Sequence, residues 1–337
     1  MDLHFSPHRQ DIFAVATSTG VVEIYALVLK EQSRVEMLHT VQAFFTSVLV
    51  LSLAWHPSPQ LPSILAVSVS DGSIAILDYT SSSSTHIQDI DAHSLEAWIV
   101  AWSSSIQSLE STLYSGGDDS RFCTIPIDVP ALMVVAMRHN SQGSLAEARA
   151  ISVAKDAKTE DEENVKPPSN VSTQTLSFDT KIHGAGVTAI LPIQCPNEPN
   201  LETVLTGSYD EYLRVLVPRP NRKWKIAAEQ RLGGGVWRLK LLDNESNPSA
   251  SVQTRLKVLA SCMHVGSKVL EVCCRSDLQW TIAVLARFEE HESMNYGSDA
   301  TRLIDIAHGQ SKVTTVVSTS FYDKKLCVWN IPDTRSS

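Results

Sequence analysis

Six times along the chain a turn-forming anchor stands six residues before an apolar or aromatic one. The pairs are Thr19 and Tyr25, Asp71 and Leu77, Asp119 and Ile125, Asp210 and Leu216, His264 and Leu270, and Asp323 and Trp329. Small residues precede each anchor, as in "VSVSD", "SGGDD", "TGSYD" and "ASCMH", and before them runs an apolar stretch such as "ILAVSV" or "VLASCM". Apolar and polar residues then alternate, as in "YLRVL" and "KLCVW". This pattern is strand, tight turn, strand. A further strand precedes most pairs, as in "DLHFSP", "SLAWHP", "AWIVAWS", "GVTAILP" and "GVWRLKL". Anchors recur about every 50 residues, with one gap near 90, and several strands at that period indicate the blades of a β-propeller. The fold class is therefore all-β. Asp210, in "GSYDEYLRVLV", reads as a turn residue of the repeat before it reads as a catalytic one.

Each blade buries its faces only against its neighbours, so residues 1–337 are expected to form a single propeller domain. The long gap contains 138–172, which lacks strand periodicity and carries a charge run from Lys155 to Lys166. That composition cannot repay chain ordering by burial, and a flexible insertion within one blade is expected.

Composition narrows the function. Of 337 residues, 43% are hydrophobic and 19% charged, the balance of a globular protein, and the formal charge is −9. An acidic chain without a basic patch argues against nucleic acid as a partner. The most apolar stretch, "FFTSVLVLSLAW" at 44–55, is too short to span a bilayer, and the N-terminal residues have no signal-peptide pattern, so no membrane role is expected. Six cysteines show neither a C-x-x-C pair nor a zinc spacing, which points to a reduced, cytoplasmic setting and no metal.

The blades resemble the WD-repeat family. Trp329-Asn330 is the nearest pair to the family's Trp-Asp dipeptide, and Leu77-Asp78 stands in the same place in an earlier blade. The ordered segments "AHSLEAWIVAW", "YSGGDDS", "TGSYDEYLRV", "GGGVWRLK", "ASCMHVGSKVL" and "STSFYDKKLCVW" are more specific. Together they resemble the WD-repeat diphthine methylesterases of diphthamide biosynthesis over about residues 93–331, with a weaker likeness before that. The resemblance implies a cofactor-free carboxylic ester hydrolase acting as a monomer. Its substrate would be translation elongation factor 2 carrying methylated diphthine, and its products diphthine and methanol. The family has seven blades and this sequence shows six. The first blade is thus expected to be missing, through truncation at the N terminus or a divergent gene model, with ring closure left open.

In a WD-type blade the anchor turn and the loop before the first strand face the same end of the channel. "HSLEAW", "GGDDS", "HGAGV", "GSYDE", "GGGVW", "CMHVG" and "SFYDK" are therefore expected around one mouth. Ester hydrolysis needs an activated nucleophile and donors for the developing oxyanion. The sequence contains no G-x-S-x-G elbow, and Ser298 in "YGSDA" lacks the second glycine. His93 with Asp119, and His183 with Asp210, match the pairs that brace WD blades. His264 stands where four other blades carry aspartate and has no such match. It is the candidate general base, with a surface or packing histidine as the plain alternative.

Gly233, Gly234 and Gly235 are candidate amide donors to an anion, assisted by Arg238, unless they serve only as a tight interblade turn. Trp98, Trp237, Tyr209 and Tyr322 are candidate aromatic contacts for a quaternary ammonium, each worth about 0.5–2 kcal/mol. Glu96, Asp118 and Glu211 would form an acidic rim, while Trp98 and Trp237 have interblade packing as their other reading. A second function class stays open, a non-catalytic scaffold or substrate adaptor of a ubiquitin ligase. The lack of a hydrolase motif favours it, and the ordered family segments favour the esterase.

Overall fold

The computed structural model describes residues 2–29, 33–80, 86–104, 110–137, 176–194, 202–220, 223–249, 251–303 and 313–331. The expected insertion at 138–172 lies outside them. α-Helix is confined, among the described residues, to 129–137; the sheets that dominate the regular structure are antiparallel. Six such sheets are the blades of a WD-repeat β-propeller. The chain divides into two compact units, residues 1–119 with 123–178, and residues 120–122 with 179–337.

The first unit holds three four-stranded blades. Blade one is β1 (Leu3–Phe5), β2 (Ile12–Ala16), β3 (Val21–Val28) and β4 (Arg34–Gln42). Blade two is β5 (Val50–Trp55), β6 (Ile64–Val69), β7 (Ser73–Asp78) and β8 (His86–Asp91). Blade three is β9 (Ala97–Trp102), β10 (Glu110–Gly117), β11 (Phe122–Asp128) and β12 (Ser177–Asp179). The long gap in the repeat thus falls between the third and fourth strands of one blade.

In the second unit, blade four is β13 (Val187–Gln194), β14 (Glu202–Ser208), β15 (Tyr212–Arg219) and β16 (Lys223–Arg231). Blade five is β17 (Arg238–Ser249), β18 (Val252–Ser261), β19 (Ser267–Arg275) and β20 (Trp280–Phe288). Blade six, three-stranded among the described residues, is β21 (Asn295–Leu303), β22 (Val313–Ser320) and β23 (Leu326–Ile331).

The repeat has a mechanical counterpart. In four blades the pairing of the third and fourth strands shifts register on reaching the residue six beyond the anchor, at Tyr25, Leu77, Leu216 and Leu270. A bulge there adds local twist to the outer strand. A second shift recurs in the innermost pair, at Val50/Ser52, Gly116/Gly117, Val187/Ala189 and Asn295/Gly297. The sixth-residue offset is thus the spacing between a turn and a bulge.

Side chains alternating off these strands form the cores between blades. In the first unit Ile64, Ile74 and Ile76 pack with Leu113, Ile125 and Ile127. In the second, Leu205, Leu213 and Val215 pack with Val258, Leu270 and Val272. Each such side chain contributes about 1.5–3 kcal/mol through burial. Strand ends and turns are left free to carry polar groups.

Candidate functional site

The anchor turns are built by their own acids. In blade four Asp210 accepts from the amides of Gly184 (2.8 Å) and Tyr212 (3.1 Å), and from Arg214 Nη1 at 2.8 and 3.0 Å. Burial works to raise its pKa, but these amides and the guanidinium outweigh it and hold the carboxyl below the usual carboxylate value. The acid at 210 is architectural.

His93 makes the expected brace, His183 reaches its aspartate only through an arginine, and a third histidine joins them. His93 Nδ1 lies 2.9 Å from Asp119 Oδ1, and its Nε2 lies 2.9 Å from Ser115 Oγ. In blade four Arg214 stands between the expected partners, 3.1 Å from His183 Nδ1 and bonded to Asp210. The guanidinium must donate to Nδ1, which leaves the proton of neutral His183 on Nε2. Burial, with Arg214 adding to it, pushes the His183 pKa down to about 3. In blade six His291 Nε2 lies 2.8 Å from Ser318 Oγ, which also accepts from Trp329 Nε1 at 3.2 Å. Asp323 there accepts from the Glu292 amide. His291 escaped the sequence reading because β21, the strand it precedes, carries no alternation of apolar residues.

In the first unit Trp98 donates its indole N–H to Asp118 Oδ1 (3.0 Å), and the Glu96 carbonyl accepts from the Asp118 amide (2.9 Å). Glu96, Trp98 and Asp118 therefore form one local cluster. Ser298, discounted as a nucleophile, lies within β21 and is 2.6 Å from Ser261 Oγ.

The second unit brings together the remaining candidates. The loop from blade four to blade five is stitched on both sides of its glycines. Leu232 N donates to Glu211 O (2.8 Å), Val236 N to Ser208 O (3.0 Å) and Trp237 N to Ser261 O (2.8 Å). Between them, among the described residues, the amides of Gly233, Gly234 and Gly235 make no hydrogen bond within the chain. Gly234 and Gly235 are buried, and buried amides without partners are rare.

The glycines lie against the turn that carries His264. A methyl group at 234 would sit 2.5 Å from the Cys262 carbonyl oxygen and 2.8 Å from a Val265 methyl carbon. One at 235 would sit 2.5 Å from Met263 Sδ and 3.2 Å from Tyr209 Cδ1. His264 stands between these contacts with its side chain exposed.

Beside the glycines runs a row of aromatic rings. Tyr209 and Trp237 have centroids 5.9 Å apart, Trp237 and Tyr296 5.0 Å, Tyr296 and Phe321 6.1 Å, and Phe321 and Tyr322 5.1 Å. Phe321 and Tyr322 are exposed. Tyr296 and Phe321 were not singled out in the sequence, although Phe321 adjoins Tyr322 in "SFYDK". Arg238 lies over the Trp237 ring, 5.0 Å from its centroid, and its Nη1 donates to the carbonyls of Thr188 (3.0 Å) and Trp237 (2.9 Å). Arg238 thus orients Trp237. Glu211 is paired with Arg231 at 2.8 Å.

Among the described residues no cluster of three or more His, Cys, Asp or Glu side chains could hold a metal ion, and no helix is long and apolar enough to cross a membrane.

Comparison with known proteins bears on both fold and chemistry. Residues 3–105 match the family described as the anaphase-promoting complex subunit 4 WD40 domain. The chain is 30% identical to the diphthine methyltransferase of Schizosaccharomyces pombe, over 98% of its own length and 78% of that protein. It is 27% identical to a Dictyostelium discoideum diphthine methyltransferase homolog, over 98% of this chain and 75% of that one. It is also 25% identical to the Homo sapiens diphthine methyltransferase, over 87% of this chain but 53% of the human one. Among solved structures, a chain of the mitotic checkpoint complex superimposes with a TM-score of 0.56 at 17% identity, covering 98% of this chain and 74% of that chain. Chaetomium thermophilum Sqt1 bound to the N-terminus of ribosomal protein L10 gives 0.55 at 16%, covering 97% and 71%. At such identities these two likenesses concern the fold alone.

Proposed function

The chain belongs to the diphthine methyltransferase family, and from that premise we propose that it acts in diphthamide biosynthesis by hydrolysing the methyl ester of methylated diphthine on translation elongation factor 2. The observation that carries this reading is the run of unpaired amides at Gly233–Gly235, set against the His264 turn and beside the aromatic row. Family relatives are named for methyl transfer, and both reactions handle the same methyl group. Donors awaiting an oxyanion, next to an accessible imidazole, suit hydrolysis.

In the proposed reaction His264 takes a proton from water as the water oxygen attacks the ester carbonyl carbon. The carbonyl oxygen gains negative charge and is received by amides of the glycine loop, Gly234 included. Collapse breaks the bond to the methoxy oxygen, which leaves with a proton as methanol, and the carboxylate remains. Trp237, Tyr209 and Tyr322, with Tyr296 and Phe321 between them, offer aromatic faces to the quaternary ammonium of the substrate. Arg238 keeps Trp237 in place, while the charge of Glu211, expected on an acidic rim, is offset by its pair with Arg231.

The test uses elongation factor 2 bearing the methylated ester, incubated with this chain and followed by mass spectrometry of the modified peptide. Loss of one methylene's mass supports hydrolysis. A gain of that mass on unmethylated factor, dependent on a methyl donor, replaces it with transfer. Exposed Phe321, Tyr322, Leu326 and Val328 favour a second reading as a docking scaffold, and binding of the factor without any mass change supports that one.

A further inference from the structure

Lys268, the second residue of β19, is buried. Among the described residues no carboxylate pairs with its ammonium, which donates to the backbone carbonyl of Leu232. The nearby Cys262 thiol supplies no counter-charge, because burial pushes its pKa up to about 12 and keeps it neutral, against the smaller pull of Lys268 itself. A buried cation held only by a neutral carbonyl is costly. Its position shows what offsets that cost. Leu232 immediately precedes the three glycines, and in a trans peptide the carbonyl and the following N–H point in opposite directions. The ammonium therefore pulls on one end of the Leu232–Gly233 peptide while the Gly233 N–H faces away from it. A cation at the carbonyl strengthens the N–H as a donor. Around Gly233 itself, where φ is +85°, there is open space.

We propose that Lys268 is a positioning residue for an anion site at Gly233–Gly235: its buried positive charge polarises the loop from behind so that the amides in front receive a small tetrahedral or carboxylate anion. The inference rests on reading this loop as the oxyanion site of the ester hydrolysis, and it extends that reading to a side chain that touches no substrate. It also accounts for a lysine at a strand position whose neighbours in the blade are packed.

The probe is methylphosphonate, a stable mimic of a tetrahedral oxyanion, titrated into the whole chain while the backbone amide resonances of Gly233, Gly234 and Gly235 are followed by NMR. In the native protein these resonances are expected to shift with saturation. In Lys268→Gln, which keeps a donor to the Leu232 carbonyl but no charge, affinity is expected to fall about tenfold, and Lys268→Arg is expected to recover most of it. Unmoved glycine resonances in the native protein overturn the proposal whatever the variants do, so it does not depend on their folding. Equal affinity in Lys268→Gln overturns it as well. A native chain that binds methylphosphonate at the glycines yet leaves the methyl ester intact keeps the anion site and discards the esterase.

Discussion

His264 and His183 show how the same side chain serves two ends at different depths. His264 is exposed on a turn and makes none of the brace contacts that occupy His93 and His291. His264→Ala is expected to lower hydrolysis of the methylated factor by about 10²–10⁴-fold and to leave the melting temperature unchanged, which activity and thermal unfolding assays check together. The buried histidines control acid stability instead. Burial depresses His56 to about 4 and His183 to about 3, from an ordinary value of 6.5. Between 6.5 and those values the unfolded chain binds protons that the folded chain refuses, so stability present above pH 6.5 is lost as pH falls through that window. Asp210, held low by its amides and Arg214 against burial, loses its contribution in the same direction at lower pH. Urea midpoints should therefore drop steadily between pH 7 and pH 4. Replacing His56 by Gln should flatten that slope by about 3 kcal/mol across the range.

Turns and strands carry the next level of information. The six-residue offset was legible because a turn and a strand are both local events, whereas the bulge that falls at its sixth residue in four blades was not anticipated. Blade six was harder to read. Its first strand, "NYGSDATRL", lacks apolar alternation, which hid Tyr296 and the brace role of His291. The glycine loop was visible as a loop, but its packing was not. Gly234 abuts a backbone carbonyl that cannot move aside, whereas Gly235 abuts the flexible end of Met263. Gly234→Ala is therefore expected to cost about 1–3 kcal/mol of stability. Gly235→Ala should cost less, but should displace Met263 and the edge of Tyr209 and so disturb turnover. Chemical denaturation of the two variants, beside their activities, checks the contrast.

For the whole molecule, the repeat and the composition were sufficient for the class of fold. Among the described residues five cysteines, four of them buried, are thiols outside any disulfide, and adjacent Cys273 and Cys274 lie within β19. The stability of the fold rests on interblade burial, not on covalent links. Addition of a reductant should therefore leave the melting temperature unchanged, and a drop on reduction would show a disulfide where the fold has thiols.

Taken alone, the sequence determined the short-range design: strands from alternation, turns from acids and glycines, and blades from their recurrence about every 50 residues. These depend on neighbours within a few positions, so they can be read along the chain. Tertiary structure alone decided which turns meet. Arg214 entered the His183 brace, Tyr296 joined the aromatic row, and Lys268 reached the carbonyl before the glycines. Those encounters join residues tens of positions apart, through the pairing of strands within a blade for Arg214 and His183 and at the junction of one blade with the next for the others. No local pattern records them, because blade packing, not sequence proximity, sets which side chains share a site.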